Sequence, residues 1–555
     1  MPYASSYPPI AIPGDVDLWS LVFDKKNRQF PTTKEIMTSA ETGRTYSWAD
    51  LRSASVEFGK GLQAQWHWKK RDVLALYTPN SIDTPIVIMG TLWAGGTVSP
   101  ANPLYTVDEL VFQLKDSGAK ALVTQLPFLE TATAAAAKAG IPENRIVLIG
   151  EDRDEIGKFL HFDRIRSTGP GGAQHTKPTI NPDQDLAFLV YSSGTTGLPK
   201  GVCLSHLNMV SNVLQSDYVE GSQWLPHGGP DGKGDKHLGV LPFFHIYGLT
   251  CAVLSSLYAG WHLVVIYMAR FDMEKLLQAI QAYRITVTYV PPPIILAFGK
   301  HPLVDKYDLT SLKVLHSGAA PLTRELTETV WNRLKIPVKQ GFGLSETSPV
   351  THCQRVEDWA KFMGSVGKLY PNMEAKIVDE SGQEVAEDEA GELWVKGPNV
   401  FKGYLNNPER TREAFSPDGY FMTGDIVRRD KHGNYYCVDR LKELIKYKGF
   451  PVPPAELEGV LVGHPDVADA CVIGIDDPSQ ATEVPRAYVV LRQGVAASEA
   501  KARELGDWVS TRVAPHKKLR GGIRFVDQVP KSASGKILRR LMRDQVRKES
   551  RAAKL

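Results

Sequence analysis

Short apolar runs alternate with helical patterns through the first part of the chain. Asp72-Val73-Leu74-Ala75-Leu76-Tyr77 is strand-like and is followed by a helical run through Ile86-Val87-Ile88-Met89. Ala121-Leu122-Val123-Thr124 and Ile146-Val147-Leu148-Ile149 are further strand-like runs, and the Ala-rich piece Ala132 to Ala139 between them predicts a helix on propensity alone. Strands alternating with helices predict parallel α/β sheets. The apolar, aromatic run Asp185 to Tyr191 predicts a buried strand that feeds a loop. A strand from His237 to Leu241 and a helix from Leu249 to Leu257 bracket Pro242-Phe243-Phe244-His245-Ile246-Tyr247-Gly248, and Lys313 to Ser317 predicts a strand ending in a small-residue turn. Near the end, Pro454-Ala455-Glu456-Leu457-Glu458 opens a helix, and the strand-like runs Asp469 to Ile475 and Arg486 to Leu491 predict a small α+β domain. Ser167 to Gln184 and Glu220 to His237 are rich in Gly, Pro and polar residues and predict loops. His227 and His237 lack further ligands at suitable spacing, so a solvated loop is expected there rather than a metal site.

A chain of 555 residues exceeds one core and predicts two to four domains or lobes. Its net charge of +3 gives no broad basic surface for nucleic acid, so anions must be met locally. The five cysteines contain no Cys-x-x-Cys pair, which argues against a disulfide framework and a structural zinc site and favours a reducing compartment. No stretch has the length and apolarity of a spanning segment, and the first residues lack a secretory signal. The chain ends Ala553-Lys554-Leu555, close to the Ser-Lys-Leu peroxisomal address. Binding to a peroxisomal import receptor and a place in the peroxisomal matrix are the expectations.

The most informative stretch is Tyr191-Ser192-Ser193-Gly194-Thr195-Thr196-Gly197-Leu198-Pro199-Lys200-Gly201. Glycines let backbone N–H groups turn toward an anion, hydroxyls add donors, and Lys200 supplies positive charge. The order differs from the usual nucleotide loop, in which Gly-Lys-Ser/Thr opens a helix. Pro199 before the lysine and Gly201 after it predict no continuous helix at Lys200.

This stretch resembles the adenylate-forming superfamily of acyl-CoA and aryl-CoA synthetases, stand-alone adenylation domains and luciferases. Further motifs carry the resemblance in the family's order from about residue 40 to 540. The resemblance implies a large α/β N-terminal domain of parallel sheets with a small β-barrel-like lobe, residues 1–439, and a small mobile α+β C-terminal domain, residues 440–555. It implies that Ser192, Ser193, Gly194, Thr195, Thr196, Gly197 and Lys200 hold the ATP phosphates. Gly318, Ala319 and Ala320, then Gln340, Gly341, Phe342 and Gly343, face the adenine. Ser345 lies near the α-phosphate, and Glu346 helps hold Mg²⁺. Asp425 and Arg440 take the ribose. His245 neighbours the reacting carboxylate, while Tyr247, His316, Gly318, Gly343, Pro349 and Val350 complete the acid pocket. Gly318 and Gly343 suggest room there for a ring or a bulky chain, and the resemblance implies an aromatic, medium-chain or secondary-metabolite acid as the expected substrate. Lys442 is the implied hinge, with Lys446, Lys448 and Gly449 toward CoA. Lys536, in Pro530-Lys531-Ser532-Ala533-Ser534-Gly535-Lys536, stands as the adenylation lysine.

The implied activity joins a carboxylic acid to CoA through an acyl-adenylate, with ATP, Mg²⁺ and CoA as co-reactants. Some positions depart from the family's usual residues: His316 where many hydroxycinnamate ligases have Lys, Ser345 where Thr is commoner, and Gly391-Glu392-Leu393-Trp394-Val395-Lys396-Gly397 without the coumarate-type cysteine. A luciferase-like adenylating oxygenase and a non-catalytic nucleotide-binding protein are the alternatives. A stand-alone amino-acid-activating domain would need an Asp for the substrate amine, and none is placed.

Overall fold

The computed structural model describes residues 2–167, 175–192, 199–229, 232–268, 271–448, 450–477, 480, 482–532 and 535–552. Val73–Tyr77 is buried at every position, as befits an interior parallel strand covered on both faces. It lies in a seven-stranded sheet ordered Lys200–Ser205, Leu186–Ser192, Thr97–Ala101, Val73–Tyr77, Ala119–Thr124, Ile146–Leu148 and Leu160–His161. Only the Lys200 strand runs antiparallel to its neighbour. The helix Thr84–Trp93 is buried along its whole length, consistent with a central position in the core. Trp48–Trp66 packs on it, entered through a Ser47–Asp50 capping box and stopped at His67 in the left-handed region.

A second, nine-stranded sheet positions the chemistry. Its central strands Val338–Gly343, Val314–Ser317, Val287–Val290 and Lys236–Gly239 are adjacent and parallel. Their C-terminal ends therefore open on one edge, where α/β sheets receive ligands. A five-stranded antiparallel sheet adds a lobe containing Phe421–Arg429 and Tyr435–Arg440. Beyond it, Val467–Asp477, Thr482–Leu491 and Ile523–Phe525 form a three-stranded sheet with the helices Pro454–Gly463 and Glu499–Ser510. Its apolar core, from Ile445 to Val509 with Phe525 packed against it, is separate from those of the two large sheets. No helix among the described residues is long and apolar enough to cross a membrane.

The loop expectation for Glu220 to His237 is corrected at both of its ends. Glu220 ends the helix His206–Glu220 and is buried, and His237 is fully buried in the strand Lys236–Gly239. Trp261 stacks on the His237 ring at 4.7 Å and Trp224 meets it edge-on at 6.0 Å. Trp224 from the same segment and Trp261 from beyond it thus enclose a histidine that the surrounding glycines and prolines mark as exposed. His227 is exposed as expected.

Candidate active site

The strands Leu186–Ser192 and Lys200–Ser205 pair with Ser192 opposite Lys200. The two ends of the phosphate loop therefore begin side by side, and Lys200 opens a strand. Ser193, Gly194, Thr195, Thr196 and Gly197 lie outside the described residues, as do Gly449 and Ala553-Lys554-Leu555. Lys200 Nζ stands 4.9 Å over the Tyr404 ring, and the Tyr404 hydroxyl donates to Glu346 Oε1 at 2.9 Å. Cation, aromatic ring and carboxylate are gathered beside the loop's base. Burial and the nearby Arg410 lower the Lys200 pKa, while Glu346 acts against them. Tyr404 carries no motif signal in the sequence; folding brings it across from the far side of the chain. Ser345 and Glu346 sit in the short 3₁₀ turn Ser345–Thr347 directly after the strand Val338–Gly343.

Asp425 and Arg440 are cross-strand partners, with Arg440 Nε 2.9 Å from Asp425 Oδ1. The other carboxylate oxygen, Asp425 Oδ2, is buried and has no hydrogen-bond partner among the described residues. A buried acceptor left open is costly unless something donates to it. Ribose hydroxyls are donors of the required kind.

One cavity between the two domains is lined by Ala319, Ala320, Gly341, Phe342, Gly343, Asp425, Arg440 and Lys536. Eight residues expected from five separate motifs thus meet in one place. Lys536 reaches it from a turn in which its N–H donates to Ser532 Oγ and its carbonyl accepts from Ser532 N. Gly535 makes that turn at φ +81°, and a Cβ there would come within 3.0 Å of Pro291 on the large domain. Burial, then Arg440, pushes the Lys536 ammonium down to about 8. Cys437 and Pro293 also line the cavity, and no sequence pattern distinguishes either.

His245 Nδ1 accepts from the Tyr247 N–H at 3.2 Å. Burial, with Lys536 adding to it, pushes its pKa down to about 4, so the ring is neutral at pH 7 with its proton assigned to Nε2. That leaves one N–H donor for a carboxylate or acyl oxygen.

The remaining acid-pocket residues sit behind this wall. A Cβ on Gly341 would lie 2.8 Å from His316 Nε2, and one on Gly318 would lie 3.0 Å from the Tyr247 ring. Gly343 departs from expectation. Its Cβ position falls 2.1 Å from the Pro349 carbonyl oxygen, so this glycine makes room for the protein's own backbone and not for a substrate ring. Asn212 holds the backbone of Val350 with both ends of its side-chain amide: Nδ2 donates to the carbonyl at 2.7 Å and Oδ1 accepts from the N–H at 3.1 Å. Gln340 is buried in the strand and bonded to Gln354.

Beneath His316 lies a charged pair that sequence reading did not find. Lys339 Nζ donates to Glu220 Oε1 at 2.9 Å, and the Tyr289 hydroxyl donates to Oε2 at 2.9 Å. Cys353 Sγ is 2.7 Å from Oε1, and His316 Nδ1 is 3.4 Å from it. The ammonium already fills the cation position that Glu220, His316 and Cys353 would otherwise offer a metal. A lysine inside the strand Val338-Lys339-Gln340 was the available signal, but its partner is 119 residues away. Lys442, Lys446 and Lys448 are exposed, on and just after the short turn Leu441–Glu443.

Two large sheets, an antiparallel lobe and a small domain that inserts a lysine beside an open carboxylate are the architecture of an adenylate-forming enzyme. The chain belongs to the AMP-binding enzyme family, whose model matches residues 23–405, with the family's C-terminal domain at residues 456–536. It is 37% identical to the probable 4-coumarate-CoA ligase 1 of Dictyostelium discoideum, over 98% of this chain and 97% of that one. It is 38% identical to the 4-coumarate-CoA ligase 2 of Nicotiana tabacum, over 98% of this chain and 96% of that one. The solved structure of ATP-bound MatB from Rhodopseudomonas palustris superposes with a TM-score of 0.81 at 28% identity, covering 95% of this chain and 98% of that one.

Proposed function

We propose that the protein is an ATP-dependent acyl- or aryl-CoA ligase acting on an aromatic or similarly bulky carboxylic acid. The observation that carries this reading is the one cavity in which Lys536 of the small domain faces Asp425 and the Gly341–Gly343 wall of the large one, with Arg440 at the boundary between them. In the first step an acid oxygen bonds to the α-phosphorus of ATP and pyrophosphate leaves. In the second, the CoA sulfur bonds to the acyl carbon, AMP leaves, and the thiol proton passes to solvent. The names of the curated relatives, 4-coumarate-CoA ligases, support an aromatic acid.

Each group then has a task. The free Asp425 oxygen accepts from the ribose, the Gly341–Gly343 backbone flanks the base, and Lys200 with the loop before it meets the outer phosphates. The Nε2–H of neutral His245 steadies the acid's carboxylate. The Lys536 ammonium faces the charge that develops at the α-phosphate. Glu346 suits Mg²⁺: one oxygen is held by Tyr404, and a hard carboxylate beside phosphate oxygens is the ligand set this ion takes. Bound there, Mg²⁺ would neutralise charge on the phosphates.

The second step needs a path for the thiol that the inserted lysine obstructs. We place the domain boundary at 439/440 and the hinge at Lys442, whose exposure suits a residue that must turn, with Lys446, Lys448 and Gly449 toward CoA. The tail Ala553-Lys554-Leu555 supports import into the peroxisomal matrix through its receptor. Deleting those three residues is expected to leave a fluorescently tagged protein in the cytosol. Unchanged peroxisomal location would refute the assignment.

The reaction is tested by incubating purified protein with ATP and Mg²⁺ and a panel of aromatic, medium-chain, long-chain and terpenoid-tailed acids, with and without CoA. AMP and thioester are followed by mass. Acid-dependent AMP with the matching thioester is the expected result; AMP without thioester points to another acceptor. Silence across the panel overturns the reading.

A further inference from the structure

The helix Pro454–Gly463 of the small domain is held at both ends and at its middle by three separate elements of the large domain. At its N-terminal end, Asp439 Oδ2 accepts from the Ala455 N–H at 2.8 Å. Asp439 belongs to the strand Tyr435–Arg440 and precedes Lys442, so it stays with the large domain when the small one turns. At the helix's C-terminal end, Lys300 Nζ donates to the Val462 carbonyl and, at 3.1 Å, to that of His464. Lys300 is the last residue of the helix Pro292–Lys300. Between these ends, Gly459 lies flush on Thr323, where a Cβ would fall 2.0 Å from Thr323 Cγ2.

The charges match the helix. A carboxylate meets the partly positive N-terminus and an ammonium meets the partly negative C-terminus, each the favourable sign. Neither contact can persist once the helix rotates away, because each donor or acceptor belongs to the large domain. The same arrangement inserts Lys536 into the cavity, which Asp439 and Gly459 also line.

We infer that Asp439, Thr323 and Lys300 form a dipole-matched clasp on the helix Pro454–Gly463 that selects the lysine-inserted arrangement, making Lys300 a positioning residue for adenylation. The inference rests on the reading of the protein as a two-step ligase with a turning small domain. Lys300 acts through the position of the small domain and touches neither nucleotide nor acid. Gly459 is required because any side chain would separate the helix from Thr323.

The test uses the full-length protein and the variants Lys300→Met, Lys300→Arg and Gly459→Val. Acid-dependent ATP–pyrophosphate exchange reads the first step, and thioester formation from supplied acyl-adenylate and CoA reads the second, both with the panel acid that releases most AMP. Lys300→Met is expected to lower exchange about 10-fold, the scale of a partly buried charge at a helix end, and Gly459→Val by about the same or more, because its side chain has no room against Thr323. Thioester formation from the adenylate should be unchanged or faster, and Lys300→Arg should restore exchange. Small-angle X-ray scattering with ATP alone needs no acid. It should show a larger radius of gyration for the Met and Val variants than for wild type or Lys300→Arg. Equal loss in both half-reactions, or no change in exchange and scattering, overturns the clasp. If the clasp variants leave the half-reactions alone while Lys536→Ala separates them, the clasp fails and the ligase stands. If Lys536→Ala does not separate them, the assignment of the adenylation step fails, while the scattering result still decides the clasp.

Discussion

Replacing Lys536 by Ala is expected to lower acid-dependent ATP–pyrophosphate exchange about 10²-fold or more while leaving thioester formation from supplied adenylate near the wild-type rate. That is the scale seen when a preorganised donor to a developing negative charge is lost. The asymmetry follows from position. Lys536 reaches the cavity from the small domain beside Arg440 and Asp425, where the α-phosphate would lie. The second step expels AMP from a carbonyl carbon and has no developing charge at that point of the cavity that only Lys536 can meet. Equal loss in both half-reactions would count against the assignment. Titration gives a second handle. Burial and Arg440 hold the ammonium down near 8, so its charged fraction falls as pH rises through that value. The exchange rate per unit of substrate, kcat/KM, reports the free enzyme and should fall above about pH 8. Lys536→Arg keeps its charge throughout this range and should remove its share of that limb; burial pushes Lys300 of the clasp down to about 8 as well, so flattening the limb takes Lys536→Arg together with Lys300→Arg. His245 is depressed to about 4 and contributes no limb between pH 5 and 9.

Lys339→Met is expected to destabilise the large domain by about 3–5 kcal/mol, the range for breaking one partner of a buried ion pair. Lys339 and Glu220 are both buried, with side-chain exposures of 0% and 5%. Burial alone would raise the Glu220 carboxyl, but Lys339 and then His316 outweigh it and hold it at about 2. Cys353 and Glu220 in turn keep Lys339 raised against burial, and because burial pushes the Cys353 thiol well up, Glu220 is the anion that matters. Without the ammonium, the carboxylate keeps only Tyr289, the Cys353 thiol and an imidazole that burial pushes down to about 3. The pH sign follows from the depressed carboxyl. Its folded value lies below its ordinary 4.5, so the stabilisation is fully present above 4.5 and is lost as pH falls through about 2. Urea denaturation at pH 7 measures the cost. The double variant Glu220→Gln with Lys339→Met should recover much of it, since it leaves no buried charge behind. A single-variant loss under about 1 kcal/mol would show that the pair is not the anchor of this core.

The sequence alone carried the sheet-forming runs, the small C-terminal α+β domain, and the motifs that supply Lys200, Glu346, Asp425, Arg440 and Lys536. The runs and the glycine-flanked Lys200 are legible because they rest on local chemistry, a strand feeding a turn and glycines beside a charge; the roles of Glu346, Asp425, Arg440 and Lys536 are legible through the resemblance of their motifs to those of the adenylate-forming superfamily. Tertiary structure alone decided the rest. The open oxygen of Asp425 exists because Arg440 occupies the other one across a strand pair. Gly343 serves the backbone of Pro349 because a returning strand passes 2.1 Å from where its side chain would start. His237 is buried because Trp261 stacks on it and Trp224 meets it edge-on, and Lys339 is tolerated in a core because Glu220 arrives from another element. The clasp on the helix Pro454–Gly463 draws its three contacts from elements between 16 and 164 residues away. Local pattern fixes which groups a segment offers. What each group faces depends on contacts between distant segments, and those are set only when the sheets and domains close on one another.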